Sequence, residues 1–193
     1  PYLAGQTLDP VSCIDGIQQT VGLLLYEGLI TLDAQFQPQP LLCQSWQYDA
    51  EKFSYTFTLR SGVTFSDGSS LSANDVLSTY RRAAASERYG ARFANVASMR
   101  STDASTLVIT LTRGDSAFPS LLDIPIVKSG TEKSTVPLGT GPYRYSSENG
   151  AAVLERNAAW HQGGTLPLER IELVAAKDNE TAASLFASYD VHL

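Results

Sequence analysis

Residues 53–60 alternate without a break, with Phe53, Tyr55, Phe57 and Leu59 on one side and Ser54, Thr56, Thr58 and Arg60 on the other. Successive side chains of a strand point to opposite faces, so this segment predicts a half-buried antiparallel strand. The aromatic side belongs to a core rather than to a cofactor box. Ser61-Gly62 and Asp67-Gly68 are turn pairs on either side of a short segment at 63–65. Ser72 then stands as N-cap with Asp75 placed to reach back to its N–H, and Leu71 with Val76 can form a hydrophobic staple. A helix is therefore predicted from Ser72 through Tyr80-Arg81-Arg82 to about Ser86.

The remaining elements alternate irregularly between helix and strand. Asp15 caps a predicted helix over 15–29, whose stripe is Ile17, Val21, Leu24 and Leu25 and whose stop is Gly28. Strands are predicted at 106–112, 124–127, 143–145, 152–156 and 171–176, with a short helix around Pro119 and Leu121-Leu122. Asp178 caps a last helix to about 189, and 191–193 read as the start of another strand. These elements give a mixed α/β (α+β) fold class.

Composition narrows the function classes. Hydrophobic residues are 43% and charged residues 18%, which suits a packed core rather than a disordered chain. The net charge of -6, with no Lys/Arg cluster, argues against nucleic acid, whose phosphates demand a basic footprint. The longest apolar run, 21–26, is far short of the ~20 residues of a membrane span. The chain opens on Pro1 without a signal-like apolar stretch and reads as a processed or trimmed product. Cys13 and Cys43 match no zinc or redox spacing. For an exported chain they leave two alternatives open, a Cys13–Cys43 disulfide or two buried thiols.

Catalytic motifs are absent. Gly139-Thr140-Gly141 begins like a dinucleotide fingerprint, but Arg144 stands where the third glycine belongs and no helix follows. His161 and His192 are the only imidazoles, and neither has a Cys nearby. His161, between Trp160 and Gly163-Gly164, reads as part of a surface turn. Asp67 reads as a turn residue and Asp75 as a helix cap. No catalytic residue, metal site or cofactor is expected.

Several segments together carry a family resemblance: Leu8-Asp9-Pro10, Leu25-Tyr26-Glu27-Gly28-Leu29, Ser45-Trp46, Gly62-Val63-Thr64-Phe65-Ser66-Asp67-Gly68, Gly139-Thr140-Gly141-Pro142-Tyr143, Asn157 with Trp160, and Ala187-Ser188-Tyr189-Asp190-Val191. In this order and spacing they resemble extracellular solute-binding protein family 5, the peptide/nickel-type receptors of bacterial ABC importers. The resemblance implies a partial periplasmic-binding-protein-like II fold, in which two lobes close hinge-fashion on a ligand. It implies residues 1–32 as the first segment of lobe I, 33–137 as the middle subdomain, and 138–193 as the return into lobe I. The second lobe would come from sequence beyond Leu193, making this chain the N-terminal part of a longer receptor.

The implied ligand is a small peptide, with nickel or another metal chelate as the alternative and an unrelated hydrolase as the remote one. The implied partners are ABC permease subunits, at the periplasmic or extracellular face of the membrane, with membrane attachment only through an upstream lipid anchor. The implied pocket loop is 11–18, with Ser12, Cys13, Ile14, Asp15, Gly16 and Gln18 as candidate ligand contacts. Main-chain groups there would meet an extended peptide. Asp15 has a competing role as helix cap. Tyr89 and Arg92 are candidates for a ligand ring or carboxylate, against the alternative of a solvated basic tip.

Overall fold

The computed structural model describes residues 2–176 and 178–188. Its largest unit is a four-stranded antiparallel sheet of β3 (Cys43–Asp49), β4 (Ser54–Leu59), β5 (Val96–Ser101) and β6 (Thr106–Leu111), in the order β3-β4-β6-β5. Tyr55, Phe57 and Leu59 of β4 and Leu107, Ile109 and Leu111 of β6 bury one face. The other face carries the threonines between them, as the alternation predicts. Helix α2 (Ala73–Ala84) covers the buried face with Val76, Leu77, Tyr80 and Ala83. Tyr80 is fully buried, and its hydroxyl donates to the Leu122 carbonyl at 3.0 Å.

Helix α2 starts where its box predicts. The Asp75 carboxylate accepts the Ser72 N–H at 2.9 Å and the Ser72 hydroxyl at 2.6 Å, while its other oxygen accepts the Ser129 N–H at 2.9 Å. The Asp67-Gly68 turn also forms, with Gly68 at φ +83°, a conformation that a side chain would strain.

A second core lies on the far side of α1 (Gly16–Leu25). Val21, Leu25 and Tyr26 pack with Tyr2, Leu8, Tyr143 and Leu154. This cluster is backed by a three-stranded antiparallel sheet of β7 (Tyr143–Glu148), β8 (Ala151–Arg156) and β9 (Arg170–Leu173). The join is close. A Cβ on Gly139 would stand 2.1 Å from the Leu25 carbonyl oxygen, and one on Gly141 2.6 Å from the Leu25 carbonyl carbon. Helix α3 (Asn179–Ala187), capped by Asp178, buries no side chain. A short hairpin, β1 (Ile30–Leu32) with β2 (Pro38–Pro40), completes the strands. Among the described residues no helix is long and apolar enough to cross a membrane.

Several expectations need correction. Phe53 does not continue β4: it sits at φ +50°, 40% exposed, where the β3–β4 hairpin turns. Helix α1 ends at Leu25, not 29, and its buried face is turned by one residue. Ile17 is exposed, while the polar Gln18 is fully buried. Segment 124–127 forms a single bridge, Gly28 with Pro125, rather than a strand, although Ile124, Ile126 and Val127 are fully buried. Strands β1, β2, β3 and β5 lack the alternation that identified the others. The strand expected at 191–193, and His192 within it, lie outside the described residues.

Candidate functional site

The loop entering α1 is built on Asp9, which is 1% exposed. Its carboxylate accepts the Ser12 hydroxyl at 2.6 Å and the Val11 N–H at 3.5 Å. It also accepts the Arg82 guanidinium, which arrives from the C-terminal turn of α2. The Asp9 carbonyl takes the N–H groups of Ser12 and Cys13 at 3.2 and 2.8 Å. These bonds curl residues 9–13 tightly and fasten them to the four-stranded unit. The second guanidinium nitrogen of Arg82, Nη1, is buried with no partner among the described residues.

Two concavities open against this loop. A groove of about 800 Å³ lies between Val11, Ser12, Cys13 and Ile14 on one bank and Arg82 and Arg88 on the other. Beside it, a cavity of about 240 Å³ reaches between α1 and Tyr89, with Leu8, Pro10, Leu23 and Pro125 among its walls. Cys13, Gln19 and Arg88 line both. Ile14, 93% exposed, stands on the rim.

The candidate residues fall into three groups. Ser12, Cys13 and Ile14 line the groove, and Cys13, Gly16 and Tyr89 line the cavity. Asp15 and Gln18 have internal roles. Asp15 caps α1 by accepting the N–H groups of Ile17 and Gln18 at 2.9 and 3.0 Å. The Gln18 amide accepts the Leu3 N–H at 3.3 Å and donates to the Leu3 and Gln6 carbonyls at 3.1 and 3.4 Å. Arg92 lines neither concavity: it pairs with Asp123 and donates to the Leu121 carbonyl at 3.1 Å. In segment 88–93, Tyr89 and Phe93 are buried in the main core, while Arg88 is exposed. Gln19, Arg82, Ala85, Ser86 and Glu87 line the groove without having been named as ligand contacts from the sequence, and Arg88 lines it from a segment, 88–93, that the resemblance places facing the cleft.

The thiols are separate. Cys13 and Cys43 are both buried and free, one on the loop and the other in the main core, so the disulfide alternative is not formed. Burial pushes the Cys13 thiol up and the Cys43 thiol to about 11, which keeps both protonated at neutral pH.

A buried carboxylate, Glu27, stands two residues past the end of α1. Glu27 accepts the Trp160 indole at 3.0 Å and the Gln162 amide at 2.8 Å on one oxygen. Its other oxygen meets the Thr140 hydroxyl and His161 Nε2, each at 3.0 Å. A carboxylate only accepts, so this imidazole carries its proton on Nε2. Burial pushes the Glu27 carboxyl up, but the bonds from His161, Trp160 and Gln162 outweigh it and leave the group below its ordinary range. His161 is therefore a buried clamp, not the surface turn expected of it.

Residues 37–193 match the family described as bacterial extracellular solute-binding proteins, family 5. The chain belongs to this family. The family 5 chain is 30% identical to the glutathione-binding protein GsiB of Escherichia coli (strain K12), over 93% of its own length and 38% of that relative's. It thus spans well under half of the curated relatives it matches. Its fold superposes on the oligopeptide-binding protein AppA from Bacillus subtilis, solved with a nonapeptide, at a TM-score of 0.75 and 20% identity. That match covers 95% of this chain and 40% of AppA. NikZ from Campylobacter jejuni, solved with Ni(L-His), gives 0.76 at 22% identity, covering 99% of this chain and 41% of NikZ. The partial periplasmic-binding-protein-like fold implied by the resemblance is the fold observed.

Proposed function

We propose that this chain supplies one wall of the ligand site of a receptor that captures small peptides outside the cytoplasmic membrane and delivers them to ABC permease subunits. The observation that carries the reading is the groove itself. It is preformed, it is walled by a loop rich in main-chain polar groups, and it lies in a family 5 chain. In loop 11–14 the Val11, Ser12 and Cys13 N–H groups are taken by Asp9, so the loop meets a ligand with its remaining main-chain groups and the exposed Ile14 side chain, a combination suited to an extended peptide of varied sequence. Nothing in the groove is a nucleophile–base pair, since the Cys13 thiol bonds only to the Asp15 carbonyl at 3.6 Å.

The same reading takes segments 1–32 and 138–193 as lobe I and 33–137 as the middle subdomain. The second core supports it by joining residues of the first and last segments. The receptor works at the periplasmic or extracellular face, held there by a lipid anchor where one precedes the chain. Among the described residues no three His, Cys, Asp or Glu side chains gather to hold a bare metal ion.

Calorimetric titration of the protein with short peptides and, separately, with a nickel–histidine complex tests the proposal. Saturable heat with peptides, weakened by Ile14→Asp, is the expected result. Heat with the chelate and none with peptides would overturn it.

A further inference from the structure

Given that reading of the groove, we infer that Arg88 makes this wall a reader of carboxylates, so that the ligand carries an anionic group seated between α1 and Tyr89. Among the described residues Arg88 is the only charged one lining the cavity, and in the adjoining groove it stands beside Arg82 and Glu87. The other arginines around the site are neutralised within the chain, Arg82 by Asp9 and Arg92 by Asp123. Arg88 pairs with no carboxylate among the described residues. Its Nη1 donates to the Cys13 carbonyl at 3.2 Å, and its guanidinium carbon sits 5.0 Å from the centroid of the Tyr89 ring.

These two contacts fix the plane of the fork without cancelling its charge. The carbonyl occupies one N–H, the ring takes one face, and the remaining donors stay available for a bidentate partner. The Tyr89 ring is itself held from its other neighbour, Arg92, at 5.1 Å. The Cys13 carbonyl is shared with the Gln19 amide at 3.1 Å, so the loop stays anchored when Arg88 turns part of its fork to a ligand. Leu8, Pro10, Leu23 and Pro125 supply apolar walls for the carbon atoms next to the anion. The occupant is thus a carboxylate on a short aliphatic stem, the chemistry of an acidic side chain or of a chain terminus.

Glutarate and its uncharged counterpart glutaramide are the probes, titrated into ¹⁵N-labelled protein. Glutarate is expected to shift the Arg88 Nε–H and the Cys13 and Gly16 amides saturably, and glutaramide to bind about tenfold or more weakly, the worth of a charge-assisted bond. Arg88→Gln should abolish the difference between the probes, and Arg88→Lys should restore part of it. Equal binding of both probes at these residues would overturn the inference and leave the groove a solute site. Shifts confined to other residues, or none, would overturn it too. The peptide titration above, run with C-amidated peptides free of acidic side chains, reports separately on the receptor reading.

Discussion

Glu27 draws a helix end, a glycine turn and three consecutive side chains onto one carboxylate, and its removal is the most informative single change. Glu27→Gln should cost about 3 kcal/mol, because an amide cannot accept from all four donors and leaves buried N–H groups facing one another. Its pH dependence has a defined sign. The folded carboxyl titrates below its unfolded value, so its contribution is complete at neutral pH and fades as acid protonates it. Denaturant melts should therefore show the gap between wild type and Glu27→Gln closing as the pH falls below about 4.5. A gap that stays constant down to pH 3 would mean that the carboxylate's charge is not what the donors hold. Only local chemistry of this kind was legible beforehand. Ser72 and Asp75 could be paired on sight because they are three residues apart. The donors of Glu27 lie 113 to 135 residues away, and nothing near Trp160-His161 announces them. The contact of Arg88 with the Cys13 carbonyl was hidden for the same reason, since the two lie 75 residues apart.

Among the elements, the clearest in the sequence are those whose burial is one-sided, whereas β8, buried at three successive residues, shows as a strand-like run and α3, which buries none, by its Asp178 cap. Strands β4 and β6 alternate strictly, and α2 carries both a box and a staple. Strand β3 escaped because Gln44, Ser45 and Gln47 leave its exposure almost continuous, and β1 with β2 because three-residue strands have no period to read. Phe53 was misplaced because a hydrophobic side chain at a turn continues the alternation of the strand beside it. Two predictions follow from the element junctions. Ser72→Ala should cost about 1 kcal/mol and Asp75→Ala about 2–3, since only the second also strips the partner from Ser129 N–H. Ser69→Ala, whose hydroxyl meets an exposed Asp67, should stay within about 0.5 kcal/mol in the same urea titrations. Gly141→Ala should cost on the order of 3 kcal/mol or more, because the added methyl meets backbone that cannot move aside. Gly16→Ala, with open space around its Cβ, should leave the melting temperature nearly unchanged.

At the scale of the molecule, stability is divided unevenly between two cores. The first is a sheet with a helix across it and closely packed aromatics such as Tyr55, Phe57 and Phe118. The second is smaller and is flanked by α3, which buries nothing. Amide hydrogen exchange should find β7, β8, β9 and α3 opening more readily than β3, β4 and β6. Equal protection in both would show that the glycine join at Leu25 makes the two cores one cooperative unit.

The sequence distances around Glu27 also set an order of events in time. Strands β3 and β4, and β5 and β6, are hairpins that close over short stretches of chain, whereas Glu27, just past α1, meets its donors only after residues 140–162 have been made. A helix of ten residues is marginal in water by itself. The turn at Glu27 is therefore among the last places to settle. A nascent chain carries a finished sheet, with loop 9–13 already within reach of Arg82 and Arg88, while the turn at Glu27 still waits for the donors that hold it.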